Sequence, residues 1–569
     1  MKKIRSYFIL ILAAVLMTGC SGLNKMKKNA GLIKYEVTPQ VLQTDAGVVP
    51  VAIKGVFPAK YFDKKTTVTA TPVLTYDGGE TPYDAVVLQG ESVQANNTSI
   101  SYNGDNFSYS GTVPYKDAMK VSKLVLKAKA VRGSKSLDFD PVPLADGVIA
   151  TSTLVMKHGK TITMKDNFVR IVPENKMADI NYVINKFDIR PTELKAEDVI
   201  ALKDYIKAVS ADPNFQLKSA AISSYASPDG KFDLNEKLSG NRGTSADKFI
   251  KKEFAKIEAA KSAGFFNATT TAEDWDGFKT EVENSNIQDK DLILRVLSMY
   301  ADPEVREKEI KNMAAAFESL KTDILPKLRR SKMIVNVDKV GRSDEQILAQ
   351  AKSDPKVLSL EEMLYAATLT TDTNEKLAFY TSAAEAYPKC IRAANNIGVT
   401  LLSLGKTDEA VAAFEKAQAI NNNDVVKNNL AAAYMAKGDL VKAAEIYKSM
   451  ATATTESKFG LGVIAITEGK YDDAVNFLGT EPCFNVALAQ LLKKDVNKAK
   501  VTLDAMKENC KGRAPYLKAV VGARLDDRDY MLNGLREAAG IDAAWKAYAK
   551  TDLELAKYWN DDTFKSAVQ

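Results

Sequence analysis

Few residues in this chain could carry covalent or acid–base chemistry. Its 569 residues hold a single histidine, His158, and four cysteines. His158 lies in the strand-like stretch Thr151 to Met164 beside Gly159 and Lys160, where it reads as a solvated turn residue. A Ser-His-Asp hydrolase or a histidine-ligated zinc centre needs more than that. There is no Cys-x-x-Cys pair, no Gly-x-x-x-x-Gly-Lys-[Ser/Thr] loop and no strand followed by Gly-x-Gly-x-x-Gly, so no metal, nucleotide or other cofactor is expected. The many Asp and Glu residues fall mostly in amphipathic helical patterns, where a solvated face explains them. The chain is therefore not expected to be an enzyme. What remains are residues that attach or recognise: the thiol of Cys20, the charges of Asp229 and Arg242, and the side chains of Asn395, Asn396, Lys427, Asn428 and Asn429.

Cys20 ends the most informative stretch. Lys2, Lys3 and Arg5 precede the apolar run Phe8 to Met17, which closes in Leu16-Met17-Thr18-Gly19-Cys20. The run is of signal length rather than membrane-spanning length, and small Thr18 and Gly19 let a peptidase reach the bond before Cys20. This resembles the bacterial lipoprotein signal. The resemblance implies cleavage before Cys20 and a mature N-terminus carrying three acyl chains, which anchor durably at ~0.8 kcal/mol per buried methylene. Everything after residue 20 would then work outside the cytoplasm. Ser21 looks like an outer-membrane sorting signal, and the basic segment Ser21 to Ala30 reads as a leash without an acidic export tag, which favours an anchor facing the periplasm. No other stretch is apolar and long enough to span a bilayer. The formal charge of +6 falls to +3 once residues 1–19 are set aside, and it is well mixed, so no nucleic-acid partner is expected. Of the remaining cysteines, Cys390, Cys483 and Cys510, the last two are the plausible disulfide pair, with buried free thiols as the alternative.

Three regions must position these residues. From Leu32 to about residue 160 the chain alternates in short Val-, Thr- and Tyr-rich runs, Val51 to Phe57, Thr66 to Thr71, Asn106 to Ser110 and Lys123 to Val131, which predicts an Ig-like β-sandwich. From 165 to 342, a strand over Ile180 to Asn185, a helix over Lys195 to Val209 and a strand over Gln216 to Ser224 predict an α+β layer. There, Tyr225-Ala-Ser-Pro-Asp-Gly230 with Asn235, Leu238, Ser239 and Arg242, and the closing stretch Leu325 to Val337, resemble the OmpA-like domain. The intervening 256–322, with Glu273-Asp-Trp-Asp-Gly-Phe278 and Ala301 to Glu307, is longer and more helical, and resembles a variant of that group found in envelope lipoproteins and fimbria-associated proteins. The family grips the charged end of peptidoglycan diaminopimelate with an aspartate and an arginine. Arg242 and Asn235 match that motif, but Ser227 stands at the aspartate's place and Asp229 lies two residues on. One charged contact, worth roughly 1.5–3 kcal/mol, is then missing unless Asp229 supplies it.

From residue 343 to 541 the pattern is helical, with a period near 34 residues. It is clearest in Ala394 to Leu401 followed by Gly405, Ala410, Phe414, Ala417 and Ile420, and is strongly similar to the tetratricopeptide repeat. Small Gly398 and Ala410 let paired helices approach while Ile397, Leu401 and Phe414 fill the groove between them. Residues 542–569, with Trp545, Tyr548, Tyr558, Trp559 and Phe564, would cap the open end. Such arrays present a groove lined by the first helix of each repeat, and the similarity to asparagine-lined grooves makes Asn395, Asn396, Lys427, Asn428 and Asn429 candidates for contacts to a peptide backbone. The combined expectation is a lipid-anchored envelope scaffold that recruits a protein or peptide. The alternatives are a peptidoglycan-binding tether of the outer membrane, and an accessory or anchor subunit of a fimbrial or secretion assembly.

Overall fold

The computed structural model describes residues 22–569 other than 288, with the side chains of 314–316 set aside, so Cys20 and Ser21 lie outside the described residues. Among those residues no helix is long and apolar enough to cross a membrane. The chain forms two compact units. One joins the residues up to Lys165 with Asp372–Gln569, and the other is Asp166–Thr371.

The first unit opens with helix α1 (Gly22–Lys28), where a free leash was expected. Leu23 and Met26, one helical turn apart, are buried in a cluster with Phe57, Phe62 and Leu88. The Tyr61 hydroxyl donates to the Met26 carbonyl at 3.1 Å and Lys27 Nζ to the Asp138 carbonyl at 2.9 Å. Two apolar residues on one face are enough to dock a basic segment whose other side stays in water.

Strands β1 (Lys34–Thr38), β2 (Val41–Gln43), β3 (Val48–Phe57), β4 (Thr67–Tyr76), β5 (Gly79–Pro82), β6 (Val86–Gly90), β7 (Thr98–Ile100), β8 (Asp105–Pro114), β9 (Ser122–Arg132), β10 (Lys135–Asp138) and β11 (Val142–Ile149) follow. They build one sheet in the order β1-β3-β8 and a second in the order β2-β11-β9-β4-β6-β7, with β5 on β4 and β10 on β9. In β3, Val49, Val51, Ile53 and Phe57 are buried and alternate with exposed positions, the period of a half-buried strand. The sheets share a core that includes Val49, Val51, Ile53, Leu74, Leu124 and Val148.

The second unit holds a four-stranded sheet in the order β12-β15-β13-β14, from β12 (Ile171–Asn181), β13 (Phe215–Tyr225), β14 (Phe266–Thr271) and β15 (Arg330–Val340). Only the β13–β14 pair is parallel. Helices α2 (Glu197–Ala211) and α3 (Phe232–Glu253) cover it, with Leu202, Ile206, Ile222, Ala246, Ile250 and Val335 in the shared core. The strand expected over Ile180 to Asn185 instead ends at Asn181, and Asn185 has a left-handed φ of 57°, which no strand accommodates. The insert contributes β14 and then helices α4 (Trp275–Glu283), α5 (Lys290–Met299), α6 (Pro303–Asn312), α7 (Ala314–Asp323) and α8 (Leu325–Leu328) around their own core of Phe278, Val282, Ile293 and Leu320. Two capping boxes, on Ser343 and Ser359, start α9 (Asp344–Ser353) and α10 (Leu360–Ala366).

The rest of the first unit is all helical: α11 (Thr373–Ala386), α12 (Ile391–Ser403), α13 (Thr407–Ile420), α14 (Asp424–Lys437), α15 (Leu440–Lys448), α16 (Thr455–Thr467), α17 (Tyr471–Leu478), α18 (Phe484–Leu492), α19 (Val496–Ala505), α20 (Arg513–Leu525) and α21 (Arg528–Ile541). Gly398 sits where a Cβ would meet the Phe414 ring at 2.6 Å, so its absence sets how closely α12 and α13 approach. After α21, α22 (Ala544–Ala549) and α23 (Asp562–Val568) close the stack. Trp545 stacks on Tyr516 at 4.6 Å, and Phe564 is buried. Sandwich and helices meet within this unit, where the Tyr471 hydroxyl donates to Asp45 at 2.7 Å.

Candidate functional site: an asparagine-lined groove

Helices α12, α14, α16 and α18 are the first helices of successive pairs. Three of them end at a left-handed glycine, Gly405, Gly438 and Gly469, and the fourth at Lys494, with φ between 72° and 89°. Nine residues before these ends stand Asn396, Asn429, Gly460 and Asn485. Because the ends are equivalent, these four positions face the same side of the array. The three asparagines there are buried, at 0–2 % exposure.

Residues 155–165 run along that side without regular secondary structure, although the sequence reads as strand-like over Thr151 to Met164. In place of a neighbouring strand, this strap pairs with carboxamides. Asn485 accepts the Met156 N–H at 3.0 Å and donates to its carbonyl at 2.9 Å. Asn429 does the same at Ile162, both at 2.7 Å, and Asn396 at Met164, at 2.9 and 2.8 Å. Asn428 donates to the Lys160 carbonyl at 2.9 Å, and Asn395 adds a donor to Ile162 at 3.1 Å. All the gripped residues are even-numbered, as they must be if one edge of an extended backbone faces the helices.

The carboxamides also form a chain. Asn428 donates to Asn429 at 3.1 Å, Asn429 to Asn395 at 2.8 Å and Asn395 to Asn396 at 3.1 Å. The amides of Asn395, Asn396 and Asn429 are thereby held with their oxygens toward a strap N–H or a neighbouring amide, and such chains polarise cooperatively. In α16 the series is broken. Gly460 leaves room for the Tyr447 ring, which a Cβ would meet at 2.4 Å, and Phe459 underlies the strap instead. His158 tilts over Phe459 at 5.6 Å and Lys160 Nζ lies 4.7 Å from its centroid. His158 itself stays exposed, as expected of a solvated residue, while partial desolvation against its neighbours and the nearby Lys160 charge hold the imidazole pKa below its ordinary value.

Of the candidates expected here, Asn395, Asn396, Asn428 and Asn429 all meet the strap, and the backbone they meet belongs to the same chain. Lys427 instead donates to the Ser449 carbonyl at 3.1 Å on the exposed side. Asn485 was missed, although its distance from the end of its helix repeats that of Asn396 and Asn429. Of the two states open for Cys483 and Cys510, a disulfide or free thiols, the structure has the second. Both thiols are free, and burial raises the pKa of each.

The second candidate site lies in the Asp166–Thr371 unit. Arg242 is 1 % exposed and turned inward: Nε donates to the Lys186 carbonyl at 3.1 Å and Nη1 to the Tyr225 carbonyl at 2.9 Å, over the Tyr182 ring. Burial lowers its pKa to about 10. Asp229 pairs with Arg329 at 3.3 Å and accepts the Ser227 hydroxyl, which in turn accepts from Arg329 Nε at 3.2 Å. Asn235 donates to the carbonyls of Ser227 and Gly230, both at 3.1 Å, and so fixes the loop. The geometry brings Ser227, Asp229 and Arg329 into one cluster and gives Arg242 main-chain partners of its own.

Residues 391–424 match the family model of the tetratricopeptide repeat. The matched stretch covers α12, α13 and the turn into α14, where Asn395 and Asn396 lie. No curated protein matches the chain. Among solved structures it is similar to YrrB, described as a tetratricopeptide repeat protein with an unusual peptide-binding site, at 19 % identity over 30 % of this chain and 97 % of that one, with a TM-score of 0.25. A tetratricopeptide repeat protein from Parabacteroides merdae is similar at 14 % identity over 40 % of this chain and 89 % of that one, with a TM-score of 0.29. The Cut9–Hcn1 assembly is similar at 13 % identity over 65 % and 82 %, with a TM-score of 0.31.

Proposed function

We propose that this protein is a lipid-anchored, periplasm-facing envelope scaffold whose tetratricopeptide array recruits a protein partner, with no catalytic step of its own. The observation behind this reading is the groove itself. Its asparagines hold an extended main chain by both N–H and C=O, which is the chemistry of peptide recognition rather than of bond making. The membrane part of the proposal rests on Cys20 and the signal-like residues before it. An OmpA-like ancestry for 165–342 rests on the motif around Arg242, and the buried, carbonyl-bound state of Arg242 together with the Asp229–Arg329 pair favours a retained fold over an active peptidoglycan grip.

The test is a crosslinked capture from envelopes using residues 21–569, with sedimentation on peptidoglycan sacculi alongside. A specific membrane or periplasmic protein crosslinked through 372–541 is the expected result. Sedimentation with sacculi that Arg242→Ala abolishes, with no protein captured, would replace the scaffold by a cell-wall tether.

A further inference from the structure

The geometry points to residues 156–164 as the resident ligand of a peptide site that accepts extended segments with glycine at the position of Gly159. This rests on the reading of the array as a recruiting surface and names the class of peptide it takes. Three features of the groove define that class. The first is main-chain readout: the grips at Met156, Lys160, Ile162 and Met164 go to N–H and C=O groups, which any residue except proline presents. The second is a glycine filter. A Cβ at Gly159 would lie 2.7 Å from Ala432 Cβ, 2.8 Å from its Cα and 2.8 Å from the Tyr447 hydroxyl, and two of those atoms belong to the short, rigid wall of α14. The third is charge. Lys160 Nζ sits over Phe459 and 3.7 Å from Glu481, so a cation beside the glycine is held by a ring face and a carboxylate.

The resident strap does not satisfy the groove completely. Asn428 Oδ1 is buried and accepts no hydrogen bond. A segment that brings a donor to that oxygen improves on the strap, so the site is open to exchange by an extended, glycine-containing, basic segment of a partner.

The experiment uses residues 21–569 and a fluorescent peptide of residues 153–165, followed by anisotropy. In the wild type the tethered strap competes at an effective concentration on the order of millimolar, so the peptide binds weakly. Gly159→Val, or Ile162→Pro, which deletes the N–H that Asn429 accepts, weakens the strap without changing any residue of the helices. Either variant is expected to bind the peptide at least about tenfold more tightly than wild type, and adding Asn429→Ala is expected to abolish the gain. A peptide with valine at the glycine position is expected to bind at least about tenfold more weakly. If both strap variants keep the wild-type helical circular dichroism yet gain no affinity, or if the valine peptide binds equally well, the inference is wrong. Partner capture that persists in that case leaves the scaffold standing, whereas peptide binding without any captured partner overturns the scaffold and spares the site.

Discussion

Asn429→Ala tests the central contact. Asn429 is fully buried, accepts the Ile162 N–H and donates to the Ile162 carbonyl and to Asn395 Oδ1. Alanine leaves the Ile162 carbonyl with its second donor, Asn395, but strands the Ile162 N–H, Asn395 Oδ1 and the Asn428 Nδ2 hydrogen that pointed at Asn429. Unmade buried partners cost about 1–3 kcal/mol each, so about 3 kcal/mol in total is a conservative sum. At 1.36 kcal/mol per factor of ten, that is on the order of a hundredfold faster opening of the strap. Hydrogen exchange followed by mass spectrometry reads it in peptides spanning 156–164. Lys427→Ala, whose side chain meets only an exposed carbonyl, should change exchange by a factor that corresponds to ~0.5 kcal/mol or less. Asn429→Asp keeps the shape and the acceptor for the Ile162 N–H but turns a carboxylate oxygen toward the Ile162 carbonyl and Asn395 Oδ1, so it should also loosen the strap. Strap protection that survives Asn429→Ala, or falls equally in Lys427→Ala, would refute the clamp.

Three further outcomes follow from buried and paired charges. Arg242→Met should destabilise the Asp166–Thr371 unit by about 2–3 kcal/mol in urea unfolding, because the Lys186 and Tyr225 carbonyls lose their donor; an unchanged midpoint would show a side chain free to serve a ligand. Asp561 is held at about 2 by Arg528, at 2.9 and 2.8 Å, and by the N–H groups of Thr563 and Phe564. Its contribution is therefore present above its ordinary value of 3.8 and lost as pH falls through about 2, and an NMR titration of Arg528→Ala should move it back up. Asp552 behaves oppositely. Burial raises its pKa, and the Tyr516 hydroxyl donates to it at 2.7 Å, so its contribution is complete below 3.8 and lost as pH rises through the raised value. Asp552→Asn, which still caps Glu554 and accepts from Tyr516, should gain stability relative to wild type as pH rises from 3.5 to 7 in parallel unfolding series, and a constant difference would contradict the shift.

Strong periodicity made some elements readable and left others hidden. The alternation in Val51 to Phe57 and the spacing of Gly398, Phe414 and Ala417 each describe a face that packs locally, so β3, α12 and α13 were legible. Strand β14 was not, since Phe266–Thr271 is exposed along most of its length and offers no apolar alternation inside an otherwise helical insert. The basic segment after Cys20 looked like a leash because two large apolar residues in ten carry little signal, yet Leu23 and Met26 suffice to dock it. At the groove the four asparagines were legible as backbone-facing residues of the first helices. Their occupant was hidden, because an extended run that pairs with side chains has the same local sequence character as one that pairs with a strand. Asn485 fell outside the expectation because its repeat is short and ends at Lys494 where its neighbours have glycine.

The strap also constrains how the chain comes together. Its partners lie 232 to 329 residues further along the sequence, so the groove can close on it only after α18 exists. Closing so long a loop costs little more than closing a shorter one, since each doubling adds only about 0.6 kcal/mol. The array therefore holds a distant segment at small entropic cost, provided that segment is already extended and fixed at one end. The sandwich fixes it: β11 ends at Ile149, and the Ser152 hydroxyl is tied to the Thr44 carbonyl at 3.1 Å a few residues before the first clamp. A strap held at its root can lift from Met164 inward while Met156 stays paired to Asn485. Exchange with a partner segment should then begin at the α12 end, where Asn396 and Arg392 meet residues 164 and 165. Asn396→Ala should accordingly raise hydrogen exchange at Met164 and Ile162 before Met156, whereas Asn485→Ala should loosen Met156 and leave Met164 nearly as protected as in wild type. Equal loosening of the whole strap by either change would mean that it opens as one unit and not from an end.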